Sequence, residues 1–305
     1  MQIKHILAKD SPTCSFEFFP PKSEKGAERL FENVRQLETL NPSFVSMTYG
    51  AGGSTRELTH RLVSRLLSET RLHCMPHLTC VGHTQPEMEE ILEAYRAAGV
   101  HDILALGGDP PSKNSHYDRS QDRFQHASDL VAYIRDFNRN ASGEFGVGVA
   151  GFPEGHPATP NRLEEMDHLK AKVDRGADFI ITQLFFDNND FYDFRERCVL
   201  AGINVPVIAG IMPVTSREGM TRMAQLALGA RFPARLQNAV ARCGGQKDAI
   251  SRVGVHWATQ QCRDLLDNQV SGLHFYTLNK SQATFEIYRS LGISSTDALR
   301  ETSAQ

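Results

Sequence analysis

Residues 73–80 read His73-Cys74-Met75-Pro76-His77-Leu78-Thr79-Cys80. After a short polar break come Pro86-Glu87-Met88-Glu89-Glu90-Ile91-Leu92-Glu93-Ala94-Tyr95-Arg96-Ala97-Ala98-Gly99 and then Asp102-Ile103-Leu104-Ala105-Leu106-Gly107-Gly108. The middle segment is a helix by its own chemistry. Pro86 suits a first turn, and Glu87, Glu89 and Glu90 favour the positive end of the helix dipole. Met88, Ile91, Leu92 and Tyr95 form an apolar stripe at helical spacing, and Gly99 supplies the left-handed residue that ends it. The flanking apolar runs are strand-length, so the three pieces make one strand-helix-strand unit. The same unit repeats along the chain. Strands are expected at 14–19, 44–50, 73–80, 102–108, 146–152, 179–186, 205–212 and 273–278. Helices are expected near 24–40, 55–70, 86–98, 123–140, 162–176, 189–201, 216–228, 233–243, 246–269 and 281–291. The glycine stop returns at Gly176-Ala177 and Ala201-Gly202, each just before a strand. Eight strands alternating with helices predict an α/β protein, a single-domain, eight-stranded parallel (β/α)8 TIM barrel. No G-x-G-x-x-G follows the first strand, which argues against a doubly wound dinucleotide fold.

The 305 residues, 40% apolar and 23% charged, fit one large α/β domain with a barrel core at about 14–292. Residues 294–305 read as a frayed tail. A net charge of −3 gives no broad basic surface for nucleic acid or anionic membrane. No apolar run approaches the roughly 18 residues of a membrane span, and Met1 to Asp10 lack a secretory signal's apolar region. Cys14, Cys74, Cys80, Cys198, Cys243 and Cys262 form no C-x-x-C pair. Reduced, mostly buried thiols and a cytoplasmic location are expected. The histidines lack H-x-x-x-H and H-E-x-x-H spacings, and there is no G-x-S-x-G elbow; no metal is expected.

In Cys14-Ser15-Phe16-Glu17-Phe18-Phe19-Pro20-Pro21 one carboxylate interrupts an apolar strand, which the double proline ends. On an interior strand, burial would raise the pKa of Glu17 towards the range useful for acid/base work; on an edge strand Glu17 would simply meet solvent. Active sites of such barrels lie at the C-terminal ends of the strands. Glu17, Thr48, Tyr49, His77, Thr79, Asp109, Glu154, His156, Gln183, Asp187 and Tyr276 to Lys280 all fall there. Each alone has an ordinary structural explanation, and their common rim is the signal. Gly50, Gly52, Gly53, Gly107 and Gly108 would let a flat or phosphorylated ligand approach the backbone.

Seven segments in order resemble the bacterial-type methylenetetrahydrofolate reductase family. They are Ser15-Phe16-Glu17-Phe18-Phe19-Pro20-Pro21, Val45-Ser46-Met47-Thr48-Tyr49-Gly50-Ala51, Pro76-His77-Leu78-Thr79-Cys80, Leu106-Gly107-Gly108-Asp109, Pro153-Glu154-Gly155-His156-Pro157, Thr182-Gln183-Leu184-Phe185-Phe186-Asp187 and His274-Phe275-Tyr276-Thr277-Leu278-Asn279. The resemblance implies non-covalent FAD and the interconversion of 5,10-methylenetetrahydrofolate and 5-methyltetrahydrofolate by hydride transfer in one-carbon metabolism. A nicotinamide would reduce the flavin, leave, and be replaced by the folate. Glu17 matches the family's general acid, and Asp109 its aspartate beside flavin and pterin. Thr48, Tyr49, Ala51, His77, Gly108, His156 and Lys172 match flavin-contacting positions, and Gly107, Phe152, Glu165 and His168 align with others. Gln183 and Asp109 match pterin contacts; Tyr276 and Lys280 fall on the folate side, Lys280 towards the tail. The resemblance also implies a homo-oligomer.

The pattern departs in two places. Gly107 stands where the family usually has arginine, and Phe152 replaces a frequent tyrosine; His126, Glu165, His168 and Ala171 also differ. Losing an arginine removes a fixed charge and a five-donor fork, with His168 and Arg123 the candidates to replace it. Gly219 and Met223 stand where the family carries a glutamine and a nicotinamide-stacking aromatic. The donor is therefore open between NADH and another reductant, or the reaction runs oxidatively. Two rival readings are a non-redox folate-binding methyl-transfer barrel and an aldolase or isomerase using Lys170 or Lys172.

Overall fold

The computed structural model describes residues 1–50, 56–109, 117–140, 144–227 and 230–303. Eight parallel strands close a barrel in chain order: β1 (Thr13–Phe18), β2 (Phe44–Met47), β3 (Cys74–Thr79), β4 (Asp102–Leu106), β5 (Gly146–Gly151), β6 (Phe179–Thr182), β7 (Val207–Ile211) and β8 (Gly272–Tyr276). β1 pairs with both β2 and β8, with Glu17 opposite Ser46 on one side and Tyr276 on the other. Glu17 thus lies on an interior strand, and the edge-strand alternative is excluded. Alternation then sorts the side chains. Phe16, Phe18, Val45, Met47 and Leu78 point outward into the layer shared with the helices, all fully buried. Phe44, Met75, Leu104, Phe179, Ile181 and Ile208 pack together as a second, separate core.

The helices are α1 (Ile3–Lys9), α2 (Glu24–Glu38), α3 (Arg56–Glu69), α4 (Gln85–Ala97), α5 (Ala127–Asn140), α6 (Arg162–Asp174), α7 (Asn188–Leu200), α8 (Arg217–Leu226), α9 (Ala234–Arg242), α10 (Lys247–Asp267), α11 (Gln282–Leu291) and α12 (Thr296–Ser303). α4 starts one residue before Pro86, with Thr84 and Glu87 forming a capping box. Gly99, Gly176 and Gly202 take positive φ where the sequence placed helix stops.

Several features differ from the sequence reading, and β6 stops at Thr182 rather than residue 186, with the Gln183 N–H donating to the Gly151 carbonyl. α1 was not anticipated; Ile3 and Leu7 join the core of Phe44 and Met75, and the Ile3 N–H donates to Asp102 at 3.1 Å. β2 ends at Met47 rather than residue 50, although the Thr48 N–H still donates to the Phe18 carbonyl at 2.9 Å. The frayed-tail reading of 294–305 is corrected over 296–303, which form α12. Thr296 is buried, its N–H donating to the Leu40 carbonyl at 2.9 Å, and Leu299 is buried in the main core. A satellite core of Leu184, Phe186, Met212, Val214, Met223, Leu236, Val240 and Ile250 joins α8, α9 and the start of α10 to the segments leaving β6 and β7. Among the described residues no helix is long and apolar enough to cross a membrane. All six cysteines are free thiols.

Candidate active site

The end of β1 carries Glu17 between two imidazoles. Its Oε2 lies 3.4 Å from His77 Nε2 on β3 and 3.6 Å from His274 Nε2 on β8. Both histidines are buried, while 19% of the Glu17 side chain remains accessible. Neither Nε2 has a hydrogen-bond partner of good geometry, nor do the buried Ser46 Oγ and Thr79 Oγ1. Buried polar atoms without partners are uncommon and mark places where a ligand or water completes the bonding. Burial is the main cause that lowers the His77 pKa, to about 4, despite the attraction of Glu17. His77 is therefore a neutral imidazole near pH 7.

His274 has a built-in adjuster. Ser15 Oγ, two residues before Glu17 on the same face, is 2.8 Å from His274 Nδ1 and 3.4 Å from the Leu273 carbonyl. When the hydroxyl donates to that carbonyl, Nδ1 carries the proton and Nε2 offers Glu17 a lone pair. When it donates to Nδ1, Nε2 offers an N–H. The imidazole can thus face Glu17 in either protonation state. Tyr276 follows on β8: its hydroxyl donates to the Thr182 carbonyl at 2.7 Å, and burial, then the Glu17 charge, raise its pKa. Gln183 comes next along the chain from Thr182, half-buried, its Oε1 accepting from the Leu184 N–H at 2.9 Å.

A second group lies along β4, β5 and α6. Lys172 Nζ donates to the Ala150 carbonyl at 2.6 Å, and burial lowers its pKa to about 8 against the favourable pull of Glu165. Glu165 is buried, its Oε2 without a hydrogen bond and 3.9 Å from Arg162 Nη1, and burial raises its pKa against the pull of Arg162. His156 packs edge-on against Phe152 with ring centroids 4.7 Å apart. Its pKa is lowered, first by burial and then by Lys172 and His168, while Asp109 opposes this. Asp109, His156, His168 and Lys172 are therefore electrostatic neighbours. Gly108 takes φ +77, and a Cβ there would lie 2.7 Å from the Thr79 Cβ, so the end of β4 stays bare backbone.

The remaining sequence candidates scatter around this rim. Tyr49 pairs with His83, Oη to Nε2 3.1 Å, and burial raises its pKa to about 12. Lys280 and His168 are exposed, and His168 stacks on His126. Ala51 lies outside the described residues. Lys170 is half-buried and pairs with Asp174 on its own helix. Met223 is only 2% exposed and belongs to the satellite core, so it presents no surface at the rim. Sequence reading overlooked His274 and Ser15 as site residues. Period-two alternation placed both on the face of their neighbours Tyr276 and Glu17, but only the β1–β8 register brings them together.

A parallel eight-stranded barrel with an acid between two imidazoles, bare glycine backbone and a half-buried lysine at one rim has its polar groups where barrel enzymes carry their active sites. The chain belongs to the methylenetetrahydrofolate reductase family, whose model matches residues 2–292. It is 34% identical to Escherichia coli 5,10-methylenetetrahydrofolate reductase over 279 residues, covering 92% of this chain and 90% of that one. It is 38% identical to Arabidopsis thaliana methylenetetrahydrofolate reductase (NADH) 1, covering 96% of this chain and 50% of the relative. The chain thus spans about half the length of its plant relatives. A Clostridium thermocellum protein described as binding two copies of 5-methyl-5,6,7,8-tetrahydrofolic acid shares the fold, with TM-score 0.66, 15% identity and 99% of both chains covered.

Proposed function

We propose that the barrel, about residues 14–292, is a catalytic domain that interconverts 5,10-methylenetetrahydrofolate and 5-methyltetrahydrofolate, with FAD at the rim and Glu17 as proton donor. The observation that carries this reading is the Glu17 carboxyl held between buried His77 and His274. FAD suits the residues present: a Thr79 Oγ1 without a hydrogen-bond partner, the bare Gly108 backbone, and a half-buried amine at Lys172. Thr48, Tyr49, His77, Gly107, Gly108, Phe152, His156, Glu165, His168 and Lys172 would hold it, and Asp109, Gln183, Tyr276 and Lys280 would meet the folate. When bound, FAD supplies reversible storage of a hydride.

The protein's own part is the proton. In the reductive direction Glu17 protonates folate N10, and the bond from the bridging methylene to N10 breaks with its electron pair going to nitrogen. The iminium left at N5 accepts hydride and becomes the methyl group. In the tautomer whose Nδ1 accepts from the Ser15 hydroxyl, His274 offers an Nε2 N–H to the carboxylate formed at Glu17. The Asp109 charge favours the cationic intermediate. Anaerobic mixing of the flavin-loaded protein with 5-methyltetrahydrofolate should bleach the visible flavin band. Protein that takes up no flavin, or whose band is unmoved by both folates, refutes the assignment.

Met223 supports a second point, that NADH is a poor electron donor here. By the family resemblance it takes the position of the aromatic that stacks on a nicotinamide, and here it is turned into the satellite core. Stopped-flow reduction of the bound flavin by NADH should be slow at sub-millimolar donor and fast with 5-methyltetrahydrofolate. Rapid bleaching by NADH contradicts this.

A further inference from the structure

The end of β4 lacks a charged side chain at position 107, and a neighbouring segment reaches back to that place. Arg119 lies in a short 3-10 turn, residues 119–121, between β4 and α5. Its Nη1 donates to the Gly108 carbonyl at 3.0 Å, and its Nη2 to the carbonyls of Gly107 at 3.2 Å and Gln125 at 3.1 Å. Gln125 returns the grip, its Nε2 donating to the carbonyls of Arg119 at 3.0 Å and Asp122 at 2.6 Å. Among the described residues, a Cβ built on Gly107 would find one neighbour within 4 Å, Arg119 Nη2 at 3.5 Å. Among the described residues no carboxylate lies within ion-pair distance of Arg119. Its hydrogen bonds among the described residues all go to backbone carbonyls, which leaves part of its five-donor fork over.

The two other cations suggested by sequence do not reach this place. Arg123 is turned to α4, its Nε 3.4 Å from Gln85 Oε1, and His168 is exposed against His126. We propose that Arg119 supplies from the β4–α5 segment the positive charge missing at Gly107. It acts as a positioning residue that fixes the Gly107-Gly108-Asp109 backbone and offers its cation to an anionic part of the bound flavin dinucleotide. This rests on the FAD assignment above.

The test follows flavin released on dilution of the holoprotein, read by its fluorescence, with circular-dichroism melting as a check of folding. Arg119→Ala should weaken FAD retention by about ten- to a hundredfold. Adding Gly107→Arg to that variant should restore most of the loss, because the site at 107 is open to a side chain once Arg119 is removed. Unchanged retention in Arg119→Ala overturns the proposal. So does a loss that Gly107→Arg leaves unrepaired, since Arg119 would then be only a loop clamp. If the alanine variant does not fold, Arg119→Gln keeps an amide donor, removes the charge and gives the same readings. Wild-type protein that binds no flavin overturns the FAD assignment itself, and the wild-type dilution alone reveals it.

Discussion

Lys172 is a cation on α6 whose amine lies against the Ala150 carbonyl, with burial lowering its pKa to about 8. A dinucleotide diphosphate beside it would favour the charged form. Below pH 8 the amine is already protonated, so binding needs no proton. Above pH 8 the free protein must take one up, and FAD affinity should fall by as much as about tenfold per pH unit. FAD release measured from pH 7 to pH 9 should show that fall, and Lys172→Met should bind weakly with a flat profile. A pH-independent wild-type affinity removes Lys172 from the flavin site. Single residues were unequally legible. Glu17 stood out because aromatics surround it and two prolines end its strand. His274 did not, because its meaning depends on a contact with Glu17, which lies 257 residues earlier in the chain. Arg119 was missed since an arginine in a polar loop looks solvated until its carbonyl partners are placed.

α12 shows the limit at the scale of elements. Its sequence is polar and short, and intrinsic propensity alone would leave it frayed. It is fixed by tertiary contacts: Thr296 to the Leu40 carbonyl and Tyr288, Asn41 to Asp297, Arg300 to Ser43 at 2.7 Å, and Leu299 in the core. Leu299→Ala should lower unfolding free energy by about 2–3 kcal/mol in a urea titration. An unchanged midpoint would mean that α12 adds nothing to the fold. The barrel strands and the helices that interleave with them were legible because their apolar spacing is periodic and several helices, such as α4, α6 and α7, end in a glycine stop. β2 was read too long because Thr48 to Gly50 are strand-like in composition, yet they leave the sheet to form the rim. α8 and α9 were visible as helices. Their packing with Phe186 and Met212, which buries Met223, was not visible, since helical spacing does not reveal which element an apolar face meets.

For the whole molecule, eight strand-helix repeats close a cylinder whose strand ends gather residues from β1, β3, β4, β5, β6 and β8. Closure is what turns scattered polar residues into one rim, and it explains how Glu17 meets His77 and His274 from distant parts of the chain. The central claim is that this rim divides its labour, with the flavin handling the hydride and Glu17 the proton. Glu17→Gln tests that division most directly, because it retains size and polarity but cannot supply the proton. In anaerobic half-reactions the variant should bind FAD normally and accept electrons from dithionite. Its reduced flavin should then be reoxidised by 5,10-methylenetetrahydrofolate about 10²–10⁴ times more slowly than in the wild type. Reoxidation at the wild-type rate would contradict the account.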